Sequence, residues 1–291
     1  MSRDSAAACP DGLPPLGEVV RSLGLSARKS LGQNFILDLN LTRRIARAAG
    51  PLVGKTAVEV GPGPGGLTRA LFLEGAERIV AMERDERFRP ALDAIAQRYP
   101  GRLAVHYGDA LEADWRGLVA GSGAKPVIAA NLPYNVATLL LVGWLESEPW
   151  PPWYAHMVLM FQKEVAERIV AAPGVKAYGR LAVIAQWRTR PRLLFTVKAE
   201  AFTPPPSVAS AIVEFTPIER PSPECSVKTL GAVTAAAFGQ RRKMLRQSLK
   251  SLLAEPEALL AAAGIAPTLR GEALSVADFA RLAYVFERMP K

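Results

Sequence analysis

The chain has 291 residues, 49% of them hydrophobic and 22% charged, with a formal net charge of +9. That length suits one large domain, or a large one and a small one, around an ordinary soluble core. No apolar run approaches the roughly 20 residues of a membrane-spanning helix, which argues against an integral membrane protein. The two cysteines, Cys9 and Cys225, make neither a disulfide framework nor a metal set. The excess of positive charge favours a polyanionic partner, nucleic acid first, although a protein that merely uses Arg freely would show the same balance.

Met1 to Pro15 carries Asp4 and Asp11 and lacks the apolar core of a signal peptide and the Arg-rich, acid-poor character of a transit peptide. It reads as a floppy tail on a cytoplasmic protein, the first part of an N-terminal extension over residues 1–25. Residues 16–30 suggest a short amphipathic helix that runs into a basic, Gly-rich segment. Leu41, Ile45 and Ala48 then recur at helical spacing, with Arg43, Arg44 and Arg47 on the other face and Gly50-Pro51 as the stop. From residue 56 strands and helices alternate: strands near 56–60, 78–82, 103–106, 127–130 and 156–161, helices near 66–74, 87–97, 137–147 and 162–171. Such alternation implies an α/β fold with a parallel sheet covered on both faces. A helix over 181–187 and strand-like runs at 193–199 and 210–215 follow, the last two separated by three consecutive prolines that cannot donate to a ladder. Pro221 and Pro223 mark a boundary between a catalytic domain over 26–217 and an all-helical domain over 224–291.

Gly61, Gly63, Gly65 and Gly66 follow one strand and open the next helix, an arrangement that lets backbone approach a nucleoside cofactor closely. Glu83, at the end of the next strand, suits the ribose hydroxyls. Proteins that bind NAD, FAD and S-adenosylmethionine (SAM) share this pattern. SAM is favoured because Gly108-Asp109-Ala110 puts a further acid at a strand end, suited to an adenine amine, and nothing suggests hydride transfer. Glu59 either orients the turn, faces the cofactor's ammonium or caps the helix.

Asn131-Leu132-Pro133-Tyr134 follows the apolar strand Val127-Ile128-Ala129-Ala130. A polar Asn, a rigid Pro and an aromatic at the carboxyl end of a strand form a socket for a flat, amine-bearing ring. The Asn131 oxygen and a carbonyl within Leu132-Pro133 would each accept an N–H of a base amine, freeing its lone pair for in-line methyl transfer while Tyr134 stacks on the ring. Phe202 offers a second stacking surface or is a core aromatic. No general base is required, and His106 and His156 read as structural, without metal-ligand spacing.

Six spaced motifs resemble the ribosomal RNA small-subunit adenine dimethyltransferase family. They are Leu31-Gly32-Gln33-Asn34-Phe35, Glu59-Val60-Gly61-Pro62-Gly63, Gly108-Asp109-Ala110, Asn131-Leu132-Pro133-Tyr134-Asn135, Phe202-Thr203-Pro204-Pro205-Pro206-Ser207-Val208 and Phe238-Gly239-Gln240-Arg241-Arg242-Lys243-Met244-Leu245-Arg246. The resemblance implies a Rossmann-like methyltransferase with a mostly parallel seven-stranded sheet and a small all-α C-terminal domain. It implies SAM held by Asn34, Ile36, Gly61, Glu83, Asp109 and Asn131, with Ile36 standing where Leu is common. Catalysis would rest on Asn131, Pro133, Tyr134 and Phe202. The reaction implied is dimethylation at N6 of two adjacent adenosines in a hairpin near the 3′ end of small-subunit rRNA, by a monomer acting on a pre-30S particle.

Arg241, Arg242, Lys243, Arg246 and Lys250 are dense enough on a helix to meet an RNA backbone, and Arg28 and Lys29 add charge beside the cofactor mouth. A solvated basic face remains the alternative for any one of them. The target adenine must be unstacked to reach a deep site. Rival functions are methylation of large-subunit rRNA, as in resistance methylases, and a non-catalytic role in ribosome assembly or transcription on the same fold.

Overall fold

The computed structural model describes residues 9–289, the side chain of Lys29 excepted. The first half runs α1 (Leu16–Ser22), β1 (Phe35–Ile36), α2 (Leu39–Ala48), β2 (Thr56–Val60), α3 (Gly66–Leu73), β3 (Arg78–Glu83), α4 (Arg89–Arg98), β4 (Leu103–Tyr107), α5 (Trp115–Leu118) and β5 (Val127–Asn131). Then come α6 (Tyr134–Glu146), β6 (His156–Gln162), α7 (Lys163–Ile169), α8 (Arg180–Arg188), β7 (Thr189–Val197), β8 (Phe202–Thr203) and β9 (Ser210–Pro217). The chain ends in α9 (Val227–Gly239), α10 (Leu245–Ser248), α11 (Pro256–Ala262) and α12 (Val276–Arg288).

The expected seven-stranded sheet forms, in the order β4-β3-β2-β5-β6-β9-β7. Pairings among β4, β3, β2, β5 and β6 are all parallel. Every residue of β2 is buried, as in a strand covered on both faces, and only Thr56 and Glu59 interrupt its apolar sequence. The chain steps from β2 to β3 on one side and returns to β5 on the other. That reversal opens a crevice at the carboxyl ends of β2, β3 and β5, where the glycine turn, Glu83 and Asn131 lie. The strand β7 begins four residues before the expected run. Pro191 hides its start, and as the last strand in the order β7 is an edge where proline is tolerated. A two-stranded antiparallel pairing of β1 with β8 was not foreseen; it sets Ile36 opposite Phe202.

The N-terminal extension corrects the sequence reading. Residues 1–8 of the expected floppy tail lie outside the described residues, but from Cys9 the segment is folded onto α3 and α4. Asp11 is 1% exposed and takes two bonds from Arg69 of α3, Nε to Oδ2 at 2.6 Å and an Nη to Oδ1 at 2.7 Å. Arg69 also donates to the Pro14 carbonyl at 2.7 Å, and Arg98 of α4 donates to the Asp11 carbonyl at 2.6 Å. Leu16 and Leu25 of the same segment are buried as well. An acid in a short, Pro-bordered stretch looks solvated in sequence; the buried guanidinium that justifies it is 58 positions away.

Two compact units emerge, and they do not follow the expected boundary at 218–224. One comprises the chain up to Leu140, Trp153–Lys163 and Leu194–Glu214; the other comprises Leu141–Pro152, Glu164–Leu193 and everything from Phe215. The second has its own core, in which Ala182, Val183 and Trp187 of α8 pack with Leu230 and Val233 of α9 and Phe279 of α12. The apolar face of α8 is satisfied by the C-terminal helices. The helix expected to carry Arg241 to Lys250 is also broken: α9 ends at Gly239, residues 240–244 form a turn, and only Arg246 lies on the short α10.

Removing one partner of a buried ion pair strands the other charge, at a cost of about 3–5 kcal/mol. Asp11→Ala is expected to lose stability of that order in urea unfolding. The volume-matched apolar double variant Asp11→Leu/Arg69→Met should recover most of it.

Candidate active site

The crevice at the strand ends opens into a cavity of ≈ 1120 Å³, its mouth included, lined by the glycine turn, by Leu31 to Ile36, and by the ends of β3 and β5. Close packing dictates the glycines. A Cβ at Gly66 would lie 2.8 Å from the Ile36 carbonyl oxygen, and one at Gly65, where φ is +90°, would lie 2.1 Å from the Ile95 side chain. The turn is pressed between β1 and α4, which leaves its other side for a ligand.

Glu83 is 4% exposed at the end of β3. Its Oε2 accepts from the Gly63 N–H at 2.9 Å, and its Oε1 accepts from the N–H groups of Arg84 and Asp85, both at 2.8 Å. Burial pushes its carboxyl up, while those three N–H groups hold it down. A carboxylate has about four acceptor positions, so one is left for a sugar hydroxyl. At the end of β4, Asp109 accepts from the Leu111 N–H at 3.0 Å and pairs with Arg84 at 3.3 Å, both near the cavity mouth.

Glu59 lies deeper, 1% exposed on β2, and accepts from the Thr68 hydroxyl at 2.7 Å. Because Thr68 belongs to α3, this bond ties together the two elements that flank the turn, the orienting role among those the sequence left open. Desolvation raises the Glu59 carboxyl from 4.5 to about 8, aided by the nearby Glu83 charge and opposed by the Thr68 bond. The folded protein therefore holds this proton more tightly than the unfolded chain does. The stability this confers is fully present below 4.5 and is lost as the pH rises through about 8.

At the end of β5, Asn131 donates from Nδ2 to the Asn34 carbonyl at 3.3 Å, so Oδ1 is the side-chain atom left to accept an amine N–H. The Pro133 carbonyl is committed to the first turn of α6, accepting from Val136 at 3.1 Å and Ala137 at 3.0 Å. Within Leu132-Pro133 the free acceptor is therefore the Leu132 carbonyl. Tyr134 lines the cavity, its hydroxyl 2.5 Å from the buried Ser210 hydroxyl at the start of β9. Phe202 does not join them. It is 2% exposed, packed in the core of the first unit and absent from the cavity wall, so the core-aromatic alternative holds. His156 is structural as expected, its Nε2 2.7 Å from the Ala49 carbonyl.

The six expected cofactor residues Asn34, Ile36, Gly61, Glu83, Asp109 and Asn131 all line this one cavity. The sequence reading missed Ser210, Thr68 and the pair Asp11 and Arg69; only their partners in the fold reveal them. Of the basic residues, Arg28 is exposed, and the Lys29 side chain lies outside the described residues. Arg241 is spoken for, bonded to Glu272 at 3.0 Å and to the Lys176 carbonyl at 2.6 Å. Arg242, Lys243 and Arg246 are exposed.

Glu59→Gln keeps a neutral hydrogen-bonding group in place and removes the titration. The stability of the wild-type protein relative to this variant is expected to fall between pH 4.5 and about pH 8 and to level off above that, read from urea midpoints across that range.

The ribosomal RNA adenine dimethylase family matches residues 24–288. Two proteins named ribosomal RNA small subunit methyltransferase A are among the relatives. One, from Xanthobacter autotrophicus, is 61% identical over 279 residues, 96% of each chain; another, from a Bradyrhizobium species, is 61% identical over 274 residues, 94% of each. Among solved structures, a dimethyladenosine transferase from Plasmodium falciparum superposes with a TM-score of 0.71 at 23% identity, over 84% of this chain and 95% of that one. The 23S rRNA methyltransferase ErmE gives 0.65 at 22%, over 87% and 100%. These two likenesses establish the fold. The family match and the relatives establish more: this chain belongs to the ribosomal RNA adenine dimethylase family.

Proposed function

We propose that the protein transfers methyl groups from SAM to N6 of two adjacent adenosines near the 3′ end of small-subunit rRNA, two per adenosine, as a cytoplasmic monomer acting on a pre-30S particle. The observation that carries this reading is the position of Asn131. Its free acceptor stands beside the Leu132 carbonyl, on the wall of the same cavity that Glu83 and Asp109 line.

The residues fit the cofactor. Glu83 is preoriented by three N–H groups with capacity left for a ribose hydroxyl, Asp109 suits an adenine amine, and the glycine turn offers bare backbone. SAM supplies an electrophilic methyl on its sulfonium. Asn131 Oδ1 and the Leu132 carbonyl take one N–H each from the substrate amine. This draws the nitrogen lone pair out of conjugation and aims it, while Tyr134, anchored by Ser210, holds the ring plane. That nitrogen would then be placed to take the methyl that bound SAM supplies, with the amine proton released to water. Positioning and charge placement supply the rate.

Purified protein is expected to move labelled methyl onto immature small subunits, with dimethyladenosine detected by mass spectrometry of the rRNA. Asn131→Ala should lower kcat/KM by at least about 100-fold, the scale for removal of one transition-state hydrogen-bonding group, with the fold intact by circular dichroism. Methylation that survives this substitution, or that maps to the large subunit, would count against the assignment.

The exposed cations Arg242, Lys243 and Arg246 are read as phosphate contacts. Neutralising any one should flatten the dependence of log K for rRNA binding on log salt by about one unit. Arg241→Ala should act instead through the stability of the second unit, since its charge is already bonded to Glu272.

A further inference from the structure

Gln33 belongs to one of the motifs above and has so far received no task. Its side chain spans two elements. Its Oε1 accepts from the Arg28 N–H at 2.9 Å, which closes the loop from 28 to 33 on itself. Its Nε2 donates to Asp85 Oδ2 at 3.0 Å, just beyond β3. Asp85 is 4% exposed, and Arg87 grips it from the other side, with Nε at 2.9 Å from Oδ1 and an Nη at 2.6 Å from Oδ2. Arg87 also reaches the Ser26 carbonyl at 3.2 Å, back at the root of the same loop. Arg87 holds the Asp85 carboxyl down at about 2, so it stays ionised at any working pH.

The fastened segment is the roof of the cofactor cavity. Leu31, Gly32, Gln33 and Asn34 line it, and the Asn34 carbonyl bonds Asn131. The Asp85 N–H, in turn, is one of the three groups that hold Glu83. A single hydrogen-bonded path therefore runs from the ribose-binding acid through Asp85 and Gln33 to the roof.

We propose that Gln33, Asp85 and Arg87 form a latch that holds residues 28–34 over the cofactor, making Asp85 and Arg87 positioning residues for SAM binding. Neither side chain need touch the cofactor. The latch fixes the segment that carries Asn34 and keeps Glu83 aimed, so it sets how tightly SAM is retained. The inference rests on the reading of this cavity as the SAM site.

The test is a double-variant cycle on the full-length protein, with SAM affinity measured by calorimetry and tryptic cleavage after Arg28 followed in saturating SAM. Gln33→Ala and Asp85→Ala each break the same charged hydrogen bond, and each should weaken SAM by about tenfold. The double variant should be no weaker than the worse single one, and SAM should protect Arg28 in the wild type only. Fold losses that multiply to about a hundredfold, or an affinity unchanged in both variants, overturn the latch. Should Asp85→Ala not fold, Gln33→Ala decides alone: about tenfold weaker binding with lost protection supports the latch, and unchanged values overturn it. A wild type that gives no heat with SAM overturns the cofactor reading and the latch with it, whereas a wild type and variants that bind equally overturn the latch alone.

Discussion

One buried carboxylate organises the cofactor end of this protein. Glu83 receives N–H groups from Gly63, Arg84 and Asp85, and so joins the glycine turn to the end of β3. Asp85 extends the network to Gln33, and the roof segment closes the circuit where the Asn34 carbonyl accepts from Asn131. In a low-dielectric crevice each of these bonds polarises the next, and leaving any of them unmade is expensive. The groups proposed to meet the cofactor and those proposed to meet the base are thus one connected structure.

The same economy governs the packing behind the turn. Bare backbone at Gly66 lets the Ile36 carbonyl come close, Thr68 ties α3 to Glu59, and Arg69 one residue on is locked to Asp11. Three of the first four positions of one helix therefore carry a contact, a hydrogen bond and an ion pair that reach β1, β2 and the N-terminal segment. The polar ones are buried and demand partners. The pairing of Asp11 with Arg69 adds rigidity behind a loop whose own chemistry needs a fixed geometry.

The socket for the base shows how backbone commitments narrow a mechanism. Of the two carbonyls within Leu132-Pro133, one is consumed by the first turn of α6, which leaves Leu132 as the free acceptor beside Asn131 in the proposed mechanism. Tyr134 is steered by Ser210, which lies 76 positions later in the chain. Phe202, equally aromatic and equally near in motif order, is drawn into the core by the pairing of β8 with β1.

The sequence by itself determined the strand–helix alternation, the parallel sheet, the glycine turn, the acids at strand ends and the Asn131 corner. All of these depend on local periodicity or on residues a few positions apart at the end of one strand. What needed the tertiary structure is whatever depends on a distant partner. The N-terminal segment folds because Arg69 awaits Asp11, and α8 joins the C-terminal helices because its apolar face fits them. Pro191 starts an edge strand because β7 lies last in the sheet, and the basic segment after Gly239 turns instead of continuing α9. A one-dimensional pattern records which groups would be costly to bury. Only the folded chain shows which of them find a partner that meets the cost.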